Sequence, residues 1–122
     1  MIAAALPVAL AFNLICSGTS RIGPVGLAMP EQDGERFTIV YRIDLDARRW
    51  CSDACEAVEP LAAIVEGHIL LRDRHDPGGS SVVTFVPEWG RFTDTLIEGS
   101  TATLRSGTCE PHPFTGFPLD LA

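Results

Sequence analysis

Apolar and polar residues alternate most strictly between Phe37 and Leu45. Phe37, Ile39, Tyr41, Ile43 and Leu45 occupy one phase, and Thr38, Val40, Arg42 and Asp44 the other. A period of two puts the first set on one face of a strand. Their β-branched and aromatic side chains favour a pleated surface over a helix. The pattern predicts Tyr41 and Ile43 in a core, with Arg42 and Asp44 in water and Val40 partly covered. Asp46-Ala47-Arg48 suits a turn, and Arg49-Trp50-Cys51 runs back as the second strand of a hairpin.

The same signals recur along the chain. Phe12 to Cys16 reads as a short strand. Ser17 to Arg36 is rich in glycine, proline, serine and charge and reads as a long loop. Its length makes it a place for function or for packing over the sheet. Ser52 to Pro60 has helix-friendly alanine and glutamate over too short a span for more than one turn. Leu61–Val65 and His68–Arg72 flank Glu66-Gly67 as a hairpin. Ser81–Val86, Arg91–Ile97 and Thr101–Cys109 are further strands. His75 to Gly79, Pro87-Glu88-Trp89-Gly90 and Glu98-Gly99-Ser100 are the turns around them. The tail, residues 110–122, carries several prolines and is predicted to lie across the sheet, with Phe114 and Phe117 on apolar side chains. The fold class is therefore all-β: an antiparallel meander of about seven or eight short strands, closed as a small barrel or a sandwich.

The N-terminus modifies this picture. Ile2 to Ala11 carries no charge, and Ala9-Leu10-Ala11 is a small-x-small pattern before Phe12. Residues 1–11 read as a secretory signal, although the usual basic start is missing, and 12–122 as one β domain. Pro7 and Asn13 interrupt a run already too short to span a membrane. The expected location is periplasmic or secreted. Cysteine usage agrees, because an even count in a small exported chain points to disulfides. The four are Cys16, Cys51, Cys55 and Cys109. Three pairings are possible; the favoured one joins Cys51 to Cys55 and Cys16 to Cys109, stapling the first mature strand to the last.

Charge narrows the function classes. The formal net charge is -7, and all nine bases are arginine. Without lysine there is no Schiff-base nucleophile. A negative surface without basic runs argues against nucleic acid and anionic membranes as partners. Cys51 and Cys55 form a CxxxC pair whose soft thiolates suit Cu(I) or thiol redox chemistry. Copper chaperones of the thioredoxin fold have that spacing, but with proline after the second cysteine, where this chain has Glu56. A structural disulfide is the better reading. His68, Asp73, His75 and Asp76 resemble a metal cluster in sequence, yet His68 and His75 fall on opposite faces of a regular strand. Ser80, Ser81 and Ser100 lack a nucleophile-elbow pattern. No cofactor and no catalytic residue is predicted.

FNLICSGT, YRIDLDARRWC and GTCEPHPFTGFP together give the chain a resemblance to small exported proteins of proteobacteria with no assigned activity. The likeness supports export and an all-β fold and carries over no site residue. The expectation is a non-enzymatic exported β-domain, structural or binding a small apolar ligand in a barrel mouth. The alternatives are a thiol-redox or copper-handling protein using Cys51 and Cys55, and an interaction or inhibitor module presenting residues 17–36.

Overall fold

The computed structural model describes residues 10–25 and 34–118. They form nine strands and no helix: β1 (Ala11–Pro24), β2 (Glu35–Asp44), β3 (Arg49–Ser52), β4 (Glu59–Pro60), β5 (Ala63–Val65), β6 (His68–Asp76), β7 (Gly79–Val86), β8 (Arg91–Glu98) and β9 (Thr101–Pro113). All pair antiparallel in one sheet, ordered β4-β3-β2-β1-β9-β8-β7-β6-β5, which curls into a half-barrel. The meander predicted from alternation is present. Its first and last long strands meet at the centre of the sheet, so its two ends are the short strands β4 and β5. Both belong to one stretch of chain. Leu61 N donates to Arg48 O at 2.8 Å, and Ala62 N donates to Leu70 O at 3.0 Å. Residues 59–65 thus bond first to β3 and then to β6, and the covalent chain covers the two edges that would otherwise invite strand addition.

Three expectations are corrected. The loop expected over 17–36 is mostly strand: β1 continues to Pro24 and β2 begins at Glu35, with Ser20 opposite Glu35. Its Gly and Ser residues read as turn signals, yet they serve a strand paired on both sides. The proline-rich tail also starts later than expected, since β9 runs to Pro113. The prolines fit because of where their nitrogens point. Cys109 N faces β8 and donates to Gly90 O, so the nitrogens of Pro111 and Pro113, two and four residues on, face the same side. There β8 has already ended at Arg91, and no ladder bond is lost. Finally, Ser52–Pro60 makes no helical turn; Asp53 and Cys55 take φ of 50° and 56° around the 51–55 disulfide. Residues 1–9 of the expected signal, 26–33 of the expected loop and 119–122 of the tail lie outside the described residues, whereas Ala11 pairs with Asp44.

Curling depends on two glycines. Gly18 and Gly107 face each other across β1 and β9. A Cβ on Gly107 would lie 1.9 Å from Ser17 O, and one on Gly18 1.9 Å from Ser106 O. Only glycine permits this approach. Their row continues to Phe92 on one side and Phe37 on the other. In a flat sheet those residues would stand three strand spacings apart, about 14 Å. Their rings instead meet edge to face at 5.7 Å, filling the space over the glycines. Tyr41 adds contacts to Phe92 at 6.2 Å and Trp50 at 5.9 Å. Such pairs contribute about 0.5–1.5 kcal/mol each beyond area burial. Leu14, Ile39, Ile43, Ile69, Leu71, Val83 and Phe85 complete a filled interior. Tyr41 and Ile43 are buried as the alternation predicts, while Arg42 is only half-exposed.

Both disulfides form as favoured from the sequence, Cys16–Cys109 and Cys51–Cys55. Cys16 and Cys109 are directly opposed on β1 and β9. Because Cys109 N points to β8, they form a non-hydrogen-bonded pair, the kind that brings side chains closest. Their Cα atoms are 3.9 Å apart.

Candidate functional site

The aromatic filling stops short of one end of the half-barrel. Above it the inward positions turn polar. Arg72 on β6 faces Val83, Val83 faces Asp94 on β8, Asp94 faces Arg105 on β9, and Arg105 faces Ser20 on β1. A hollow of about 280 Å³ opens there, lined by Ser20, Arg72, Ser81, Asp94, Leu96, Thr103 and Arg105. That is at the small end of ligand pockets, which run about 300–1,000 Å³. A second hollow of about 290 Å³, reaching Arg74, Asp76 and Glu98, shares Ser81 and Leu96 with it.

Each guanidinium lies on an aromatic ring and holds a carboxylate. Arg105 sits 5.2 Å from the centre of Phe37 and pairs with Asp94, itself buried. Arg72 sits 5.2 Å from the centre of Trp50. Its Nε donates to Glu59 Oε1 at 3.0 Å, Nη2 donates to Glu59 Oε2, and Nη1 donates to Ser81 Oγ at 3.2 Å. The hydrogen bond to Glu59 raises the pKa of Arg72 against the opposing effect of burial. That pair also bridges the two ends of the sheet, since Glu59 belongs to β4 and Arg72 to β6. The bidentate pair of Arg72 on an aromatic face is a geometry that holds arginine firmly, while Arg105 makes a single bond to Asp94. The mouth is therefore a preformed polar site on a rigid floor.

Arg72 reaches the interior through a bulge. The register of β6 against β7 shifts between Leu70 and Arg72. Leu71 is buried and packs in the core, and Arg72, the next residue, faces inward opposite Val83. In a regular strand the two would point to opposite faces. The extra residue re-aims the side chain, a common use of bulges beside functional sites.

Beneath this rim lies a buried hydroxyl. Tyr41 is 2 % exposed, and its Oη has no hydrogen-bond partner among the described residues. Burial, and then the charge of Asp94, push its phenol well above the ordinary range, while Arg105 and Arg72 act in the opposite direction. The hydroxyl thus feels the same charges that line the mouth.

The residues singled out from the sequence lie elsewhere, with one exception. Cys51 and Cys55 are buried and bonded to each other, beside a hollow of about 420 Å³ lined by Asp53, Glu56 and Glu59, hard oxygen donors unsuited to Cu(I). His75 pairs with Asp73 at 2.8 Å, and His68 is exposed at the start of the strand. Among the described residues no group of three or more His, Cys, Asp or Glu is arranged to hold a metal. Ser100 lies in an exposed turn; only Ser81 enters the mouth, as the acceptor from Arg72. The tail packs polar as well as apolar atoms. Arg42 donates to Gly116 O at 2.9 Å, Asn13 donates to Thr115 Oγ1 at 2.9 Å, and Arg49 lies over Phe117, which meets Phe114 edge to face. Sequence reasoning missed Arg72, Asp94 and Arg105. For Asp94 a signal existed: it shares a phase with Phe92 and Leu96, which puts a charge at a core-facing position.

No helix among the described residues is long and apolar enough to cross a membrane. Two disulfides are compatible with an extracellular or periplasmic location. Comparison with known protein families, curated proteins and solved structures finds no match to this chain.

Proposed function

We propose that this protein is an exported, non-enzymatic β-domain, periplasmic or secreted, that binds a small molecule at the open end of its half-barrel. One observation carries the reading: a charged, preformed mouth stands on an otherwise filled aromatic interior. Asp94 is buried there, and Arg105 and Arg72 are partly so. Withdrawing an ion from water carries a desolvation cost that its pairing at best repays, and well-packed apolar residues of similar volume often serve stability as well or better. A fold that keeps four charges around a small hollow gains no obvious stability from them; a polar ligand gives them a use. The lining favours a polar occupant over the apolar one expected from the sequence. Export is supported by the two disulfides, which persist in oxidising compartments.

The test is amide NMR on the isotope-labelled, disulfide-intact protein, titrated with pools of small metabolites of mixed charge. Saturable shifts centred on Ser20, Ser81, Thr103 and Arg105 are expected from at least one pool. Shifts confined to the 51–55 loop, or none with any pool, would remove the reading.

A further inference from the structure

We propose that the ligand of the half-barrel mouth is a monoanionic hydroxycarboxylate, with Arg105 as the anchor of its carboxylate. This rests on the small-molecule reading above and narrows it. Arg72 is the more committed of the two inward arginines, with its Nε and both Nη engaged by Glu59 and Ser81. Arg105 donates one Nη to Asp94, and a guanidinium carries more donors than that bond uses. Its side chain is 33 % exposed, open to the hollow, while Phe37 fixes the plane of the fork. A planar fork held in place matches a carboxylate edge.

Charge sets the valence. In the lining of the hollow itself the guanidiniums of Arg72 and Arg105 stand against the single carboxylate of Asp94, with Glu59 holding Arg72 from outside it, which leaves one positive charge unmatched within the lining. A single negative charge on the ligand completes the set. A second would be pushed toward Asp76 and Glu98 in the adjoining hollow, in a chain of net charge -7. A phosphate dianion is therefore a poorer fit than a carboxylate. The remaining lining explains the hydroxyls: Ser20, Ser81 and Thr103 surround the fork, and Asp94 is an acceptor beside it. Such a lining pairs with an alcohol as readily as with a carboxylate.

The experiment titrates wild-type protein with lactate and gluconate, with sorbitol as the uncharged control and inorganic phosphate as the dianion, following amide shifts at the mouth. One of the two hydroxy acids is expected to bind saturably and at least tenfold more tightly than sorbitol or phosphate. Asp94→Asn frees Arg105 and should tighten that binding severalfold, an effect that a purely structural ion pair would not produce. Arg105→Gln should weaken it at least tenfold, and Arg91→Gln, at the opposite end of the barrel, should leave it unchanged. Should Arg105→Gln fold poorly with Asp94 unpaired, the double variant Asp94→Asn, Arg105→Gln removes both charges and should also lose binding. Tighter binding of sorbitol or phosphate, weaker binding in Asp94→Asn, or unchanged binding in the double variant would overturn the assignment. If neither hydroxy acid binds while another metabolite pool shifts the mouth residues, this inference falls and the small-molecule reading stands.

Discussion

Replacing Cys16 and Cys109 together by alanine frees a loop with a sequence separation of 93, whereas replacing Cys51 and Cys55 frees one of 4. In the chain-entropy account the long loop contributes about 4.6 kcal/mol and the short one roughly 2 kcal/mol. Both double variants also lose two sulfur atoms. Cys16, Cys51 and Cys55 are buried, and Cys109 only partly so, so the packing loss is at least as large for the 51/55 pair. It works against the loop difference, and the net excess for the 16/109 variant is expected at about 1.5–2.5 kcal/mol. Urea unfolding of wild type and both variants, followed by tryptophan fluorescence at 25 °C, measures it. The denaturant slope gives a second reading. An unfolded chain released from the long loop exposes more surface, so m should rise in the 16/109 variant and hardly change in the other. For a domain stable by about 5–15 kcal/mol, losing the long loop's contribution takes from roughly a third to nearly all of the stability. Equal losses in the two variants, with m unchanged in both, would refute the claim that the β1–β9 staple acts through the unfolded chain.

Gly107→Ala should cost roughly 3 kcal/mol or more, because its Cβ meets Ser17 O and the Gly18 backbone, while Gly78→Ala, with nothing within 4 Å, should stay within about half a kcal/mol in the same urea assay. Tyr41 is the only tyrosine in the chain, so alkaline difference absorbance follows one phenol; in the folded protein it should ionise well above its ordinary value of 10.0. The folded state then keeps a proton that the unfolded state releases, so the contribution of this group to stability should be level below pH 10 and fall as pH rises beyond it, with ionisation and unfolding coinciding. Ionisation at the ordinary value with the fold intact would contradict the burial of that hydroxyl.

The parts of the fold legible in the sequence are those set by local period. Phe37 to Leu45 alternates, and its register follows, because a slip by one residue would expose Ile43 and bury Arg42. Glu66-Gly67 and Glu98-Gly99 are turns by their own chemistry, with Glu66, Gly67 and Gly99 at positive φ. Ser17 to Pro24 is different. Gly18 marks a close approach to Gly107, a residue 89 positions away in the chain that sits opposite it on β9. Locally that glycine is indistinguishable from a loop glycine, so the central strand of the sheet read as loop. Pro111 and Pro113 pose the same problem in reverse: whether proline fits a strand depends on where the neighbouring strand ends.

The mouth shows the limit of period arguments most clearly. Asp94 and Arg105 keep the phase of their strands, and a reader who knew that Phe92 and Cys109 face inward could have placed both. Arg72 could not be placed that way. Counting by two from the buried Ile69 gives Leu71 and then Asp73 as inward positions and puts Arg72 in solvent. The bulge after Leu70 lets Leu71 stay in the core and turns Arg72 inward as well. What holds this irregularity is long-range: Glu59, from the stretch that closes the half-barrel, and Ser81 across β7 take up the guanidinium, and Trp50 supports its face. None of these is within eight residues of Arg72. Removing the extra residue at 71 would therefore do more than shorten a strand. It would make the alternation of β6 regular, with Ile69 inward, Leu70 outward and Arg72 still inward opposite Val83. The mouth would keep both arginines while the core lost the buried Leu71 side chain, at a cost of roughly 2–5 kcal/mol.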